Sequence, residues 1–265
     1  MNHFILQLKG RNETLYYFGF LCLLLAIVFL ILTKTSPTRL NNVSAWYKPF
    51  KFAAPVWLYS WTMAWYCYYL PQFNFQLFNF SVVFLLGLEI IYIVIQAAKG
   101  ELSHFNISSN LYATLYSCMA IAASTIALYT AYIAYLFFQS DLPQLPSYYV
   151  WSIRMSMILF VIFSFEGFLM GSRLSHTIGG ADGGPGLPIL NWSTKYGDPR
   201  IAHFIGMHAL QVIPVLSFYV FKNTKATVVL ALCYAALALF TLVQALQGKP
   251  LFKSKEKDKE QLSHP

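Results

Sequence analysis

Seven stretches of this chain, residues 15–33, 52–70, 78–98, 111–138, 148–171, 200–221 and 226–247, are each long and apolar enough to cross a bilayer. That feature leaves few folds open. A helix needs about 20 mostly apolar residues to cross roughly 30 Å of hydrocarbon, and lipid offers the backbone no hydrogen-bond partner, so each run has to satisfy its own amides as a helix. Breakers stand between the runs: Pro37, Pro71, Pro143 with Pro146, Pro199, and the Lys222 to Lys225 turn. The expected fold is all-α, a polytopic integral membrane protein of seven transmembrane helices. Only 11% of the residues are charged, against about 25% in soluble domains, and no polar stretch is long enough to fold separately. The expected organisation is a polar N-terminal segment (1–14), a membrane domain (15–247) with an ordered loop at 172–199, and a disordered charged tail (248–265). The first apolar run exceeds the 7 to 15 residues of a signal-peptide core, and no small-x-small site follows it, so it reads as a span.

Lysine and arginine set the orientation. Lys9, Arg11, Lys222 and Lys225 fall on one side of the seven-span arrangement, whereas Lys34, Arg39, Lys48, Lys51, Lys99, Arg173, Lys195, Arg200 and the five tail lysines fall on the other. The N-terminus is expected outside and the C-terminus in the cytoplasm, in a cell membrane (the inner membrane if the source is bacterial). The net charge of +8 is therefore a topology signal. The expected partners are the lipid bilayer and an unknown small-molecule substrate; no basic helix interleaved with aromatics points to nucleic acid. The oligomeric state is not legible. Cys22, Cys67, Cys118 and Cys233 lie in separate apolar runs with no paired spacing, and read as small hydrophobes.

Packing signals are ordinary. Ala120, Ala123, Ala127, Ala131 and Ala134, and likewise Ala231, Ala235 and Ala238, recur at helical spacing that lets backbones approach. Trp57, Trp61 and Trp65 form a stripe that reads first as lipid-facing and interfacial anchoring, and second as the lining of a ring-shaped ligand.

Ionisable groups inside a span are costly and face a cavity or a partner. Glu89, with Tyr92 and Gln96 on the same face, is expected to line an interior wall, and with Gln211 to form a transmembrane polar relay. Arg154 and Glu166 share the fifth span but stand about 18 Å apart at 1.5 Å per residue, too far to pair. Arg154 reads as structural and Glu166 as functional. The segment GDPRIAHFIGMHALQ opens the sixth span: Asp198 precedes its first turn, Pro199 sits where a missing N–H costs nothing, and Arg200 and His203 follow. His208 is about 7.5 Å deeper and turned away from His203, without the spacing of four found in HExxH sites. The long connection between the fifth and sixth spans, with Gly183, Gly184 and Trp192, reads as a folded lid or a linker, and matches no phosphate loop.

His104, His176, His203 and His208 all fall at or just inside one membrane face, with Glu166, Asp182, Asp198 and Gln96. The expectation is a histidine-bearing polar pocket on the cytoplasmic side. The favoured function is a metal- or haem-binding redox membrane protein, with haem or a transition metal as cofactor, His104, His176, His203 and His208 as metal ligands, and Gly183, Gly184 and Trp192 against the cofactor. His203, His208, Glu166, Asp198 and Arg200 are the candidate catalytic residues. The alternatives are a small-solute or proton-coupled transporter using Glu89, Glu166 and His208, and a lipid- or quinone-modifying enzyme in which His203 or His208 transfers a proton that Asp198 or Glu166 tunes. A retinal receptor is disfavoured because the seventh span holds no lysine for a Schiff base.

Overall fold

The computed structural model describes residues 2–40, 43–184 and 186–253. The helices are α1 (Asn2–Arg11), α2 (Glu13–Thr35), α3 (Tyr47–Cys67), α4 (Phe75–Ser81), α5 (Gly87–Lys99), α6 (Asn110–Gln139), α7 (Ser147–Arg173), α8 (Arg200–Leu216) and α9 (Thr224–Leu246). A two-residue antiparallel ladder, β1 (Arg39–Leu40) with β2 (Val43–Ser44), joins α2 to α3. A π-helical turn (Val82–Leu86) fuses α4 and α5 into one rod, and another (Ser217–Phe221) extends α8.

Among the described residues, six helical stretches are long and apolar enough to cross a membrane: Glu13–Thr35, Phe75–Lys99, Asn110–Gln139, Ser147–Arg173, Arg200–Phe221 and Thr224–Leu246. Their outer faces carry Leu24, Ile27 and Ile31 on α2 and Leu232, Leu239 and Phe240 on α9, all exposed, an apolar surface far larger than a water-soluble protein tolerates. The seventh apolar run of the sequence is helical as α3, but it is not one of these six. The reason is where α3 lies: none of its residues is exposed. Tyr59 on α3 bonds Thr130 on α6 (2.8 Å) and stacks on Phe160 of α7, and Tyr66 reaches α8. A helix none of whose residues is fully exposed has less need of an apolar surface, so α3 can hold its tyrosines, tryptophans and hydroxyls. Trp61 stacks on Tyr16 and donates to its carbonyl (3.1 Å), and Trp65 lies between Phe4 and the Arg11 guanidinium. Trp61 and Trp65 thus pack on α2 and α1, Trp57 meets Trp61 edge-on, and none of the three is fully exposed.

Polar side chains repair the backbone where it breaks. Pro214 has no N–H, which leaves the Leu210 carbonyl without its helical donor; the Tyr66 hydroxyl supplies one across the bundle at 2.9 Å. Arg154 donates to the carbonyls of Phe137 (2.9 Å) and Ser140 (3.2 Å), closing the end of α6, so it is structural as expected. Asn12 and Asn79 exchange two amide hydrogen bonds (2.9 and 3.0 Å) and tie the start of α2 to α4. The polar segment at the N-terminus is itself a helix, α1. Of the charged tail, residues 254–265 lie outside the described residues.

Candidate functional site

The helices alternate in direction, so α3, α6 and α8 begin, and α2, α5, α7 and α9 end, at one end of the bundle, hereafter the basic end. α7 and α8 lie closest where Gly206 meets Phe163: a Cβ on Gly206 would stand 2.0 Å from the Phe163 ring. Three residues from that contact, on each helix and toward the basic end, stand Glu166 and His203. The approach brings His203 Nδ1 to 3.3 Å from Glu166 Oε2. The Glu166 side chain is only 6% exposed, and neither of its oxygens, nor His203 Nδ1, has a partner in hydrogen-bond geometry. Gly167 leaves room beside the imidazole, since a Cβ there would meet His203 Cε1 at 3.3 Å. A carboxylate and an imidazole so placed can pass a proton between them or to a third group.

The connection from α7 to α8 is folded against the basic end. Asp182 accepts from the Ser175 hydroxyl, the backbone and ring of His176, and the Thr177 hydroxyl. Partial burial opposes its charge, but these bonds, those from His176 foremost, hold its carboxyl well below the usual carboxylate range. Asp198, buried, accepts from the Arg200 side chain (2.8 Å at Nε) and from the Ser193 backbone (2.8 Å). Ile178 pairs with Gly197, and a Cβ on Gly197 would meet the Ala245 carbonyl of α9, so glycine is required there. Asp198 therefore fastens the loop to α8, with both of its oxygens accepting hydrogen bonds.

Beside this loop, Lys51 Nζ donates to the Leu190 carbonyl (3.0 Å) and Arg200 Nη2 to the next carbonyl, that of Asn191 (2.6 Å). Lys48 lies one turn from Lys51, ahead of the apolar run that starts at Phe52. Burial, reinforced by Lys51 and Arg200, brings its ammonium pKa down to about 7; burial and Arg200 bring that of Lys51 to about 8. His104 is pushed well below the usual histidine value by burial and by Lys48, and His176 is lowered by burial and Lys48 against the pull of Asp182. The two rings flank Phe105, with centroids 6.4 and 4.6 Å from it.

The four histidines expected as metal ligands are thus divided. His104 and His176 share Phe105, His203 faces Glu166, and the His208 ring lies on Phe204 at 4.3 Å. Among the described residues no group of three or more His, Cys, Asp or Glu side chains converges to hold a metal. The metal-site expectation is corrected accordingly: lying at one membrane face does not aim imidazoles at one point. Gly183 and Gly184 are exposed, and a Cβ on Gly184 would meet nothing within 4 Å. Trp192 packs its ring on Phe204, in line with His208. The residues of the expected relay have the following partners. Gln96 donates to the Leu102 carbonyl (3.0 Å) and Gln211 to Thr62 on α3 (3.1 Å), while Glu89, 4% exposed, keeps an unpartnered oxygen beside an unpartnered Tyr92 hydroxyl on α5.

Three features escaped sequence reasoning. Lys48 and Lys51 counted only as topology charges, although their spacing of three on a helix already puts them on one face. Gly167 and Gly171, a small-xxx-small pair, let His203 and Tyr116 close on α7. Gly206 sets the Glu166–His203 approach, and the signal that marked it was a lone glycine inside a span. Comparison with protein-family models, with curated proteins and with solved structures finds no match to this chain.

Proposed function

We propose that the chain is a seven-span membrane protein that performs acid–base chemistry on an amphipathic, lipid- or quinone-class substrate, with Glu166 and His203 as the working pair. The apolar run of α3 that starts at Phe52 is the seventh span, with Lys48 and Lys51 ahead of it in the first turns of the helix, and its enclosure removes the need for an apolar surface. The lysine and arginine excess at the basic end supports a C-terminus in the cytoplasm of a cell membrane and an N-terminus outside.

One observation carries the reading. A carboxylate 6% exposed stands 3.3 Å from an imidazole, yet neither of its oxygens is hydrogen-bonded. Burying such a group without bonds costs several kcal/mol, and purely structural carboxylates in this protein, Asp198 and Asp182, have their oxygens filled. Open lone pairs beside a titratable ring suit proton exchange with a bound molecule. In that chemistry His203 accepts or delivers the proton, and Glu166 orients the ring and offsets the charge it gains. The bilayer class of substrate follows from depth, because His203 lies in the first turn of α8 and Glu166 seven residues before the end of α7, within reach of molecules entering from the lipid. Haem or metal redox chemistry is not the reading favoured, because the imidazoles do not face one another.

The test is turnover of a lipid and quinone pool by protein in nanodiscs, followed by mass spectrometry. Wild type should convert at least one species, and Glu166→Gln and His203→Asn should each abolish that conversion. No conversion by wild type, or conversion surviving in both variants, would refute the assignment. Proton-coupled transport is a second reading, favoured by the buried, unpartnered Glu89 oxygen; proteoliposome flux lost in both Glu89→Gln and Glu166→Gln would support it.

A further inference from the structure

The basic end holds cations that the protein does not neutralise. Asp198 is committed to Arg200 and Ser193, and Asp182 to His176, Thr177 and Ser175. Lys51 is left with one carbonyl, and Lys48 makes no hydrogen bond or close ion pair at all among the described residues. Leu190 and Asn191 are consecutive, so the carbonyls they present place the Lys51 ammonium and the Arg200 guanidinium side by side. Two more donors near the start of α3, the Ser44 hydroxyl (residue 2% exposed) and the Trp46 indole N–H, are buried without a partner. Buried donors and cations left open in this way await an acceptor, and two lysines without a carboxylate partner beside the Arg200 guanidinium define what kind.

We propose that Lys48, Lys51 and Arg200 form an oxyanion-binding site at the basic end, and that it takes the phosphate or carboxylate headgroup of the amphiphile whose chemistry Glu166 and His203 perform. The second half rests on the acid–base reading; the binding itself does not. Arg200 and His203 share the first turn of α8, so a headgroup on the former puts the adjoining atoms of the molecule beside the latter. Two sources offer this chemistry, a lipid headgroup and a free oxyanion in the water phase.

Binding to the full chain in neutral detergent at about 0.15 M salt, where weak surface attraction is screened, separates the possibilities. Tryptophan fluorescence is followed against inorganic phosphate, short-chain phosphatidic acid and the matching diacylglycerol. Saturable binding of phosphatidic acid but not of diacylglycerol is expected, weakened about tenfold or more in Lys48→Gln and retained in Lys48→Arg. Lys48 makes no bond whose loss would unfold the chain, and Lys51→Gln provides the second variant. Glu166→Gln should bind as wild type, so failure of the acid–base reading leaves this result intact. Phosphate binding as tightly as phosphatidic acid, with the same loss in Lys48→Gln, would keep the oxyanion site and overturn the amphiphile. No saturable binding, or binding unchanged in both lysine variants, would overturn the site.

Discussion

Gly206 is a position at which a single methyl group should be costly. An added Cβ would lie 2.0 Å from Phe163 Cγ and 2.3 Å from Phe163 Cβ, whereas carbon atoms rest about 3.5–4.0 Å apart. The shortfall is roughly 1.5–2 Å. Turning the Phe163 ring does not relieve it, because the clash includes its own Cβ and the residue is 1% exposed. α7 and α8 have to move apart, and Glu166 and His203, three residues from the contact, separate with them. Overpacking of this kind costs about 1–3 kcal/mol. Gly206→Ala should therefore unfold earlier in an SDS titration in mixed micelles by about that amount, whereas Gly184→Ala, with nothing within 4 Å of its Cβ, should stay within about 0.5 kcal/mol of wild type. Phe163→Ala combined with Gly206→Ala should lose less than the sum of the two single losses, since truncating Phe163 removes the ring atoms that the new Cβ meets, though not the Phe163 Cβ. Equal stability of Gly206→Ala and Gly184→Ala would refute this account of the α7–α8 contact.

Asp198→Ala strands the Arg200 guanidinium and the Ser193 amide; broken buried ion pairs cost about 3–5 kcal/mol, and the loop should be cut by trypsin at Lys195 well before wild type. Tyr66→Phe leaves the Leu210 carbonyl without a donor and should cost about 1–3 kcal/mol; in a Pro214→Ala background, where the helix supplies its own N–H, the same change should be close to neutral. Reductively methylated lysines followed by NMR should show Lys48 titrating near pH 7 and Lys51 near pH 8. Because the lowered pKa means charge is present below these values and lost above them, oxyanion affinity should fall as pH rises through 7 to 8. Lys51, Arg200, His104 and His176, with Asp182 and Asp198 opposing, are the charged and titratable groups that set this window. Titration of Lys48 at the ordinary lysine value would contradict it.

What the sequence discloses follows physical range. Apolar length is a local property, and six of the seven runs appear as apolar helices of bilayer length with ends close to their prolines. The connection read as 172–199 lies between α7, which ends at Arg173, and α8, which begins at Arg200, and Asp198 and Arg200, two residues apart, pair through contacts that a short peptide could make. α3 was legible as a helix, but its enclosure was not, since enclosure is a property of its neighbours. The Glu166–His203 approach joins residues 37 apart in the chain through a glycine whose role depends on the opposite helix, and no spacing rule reports it. The histidines misled for the converse reason: similar depth says nothing of azimuth, and four rings at one face were taken for one site. Asp198 looked catalytic because it is acidic and near two histidines, yet its oxygens are spent on the loop.

The account turns on Glu166 and His203 acting as one unit. The most direct test is a double-mutant cycle on the turnover rate in nanodiscs, comparing wild type, Glu166→Gln, His203→Asn and the double variant. Residues that share one proton-transfer step are non-additive, so the double variant should be no slower than the worse single variant. Losses that multiply would show two independent contributions and contradict the pairing.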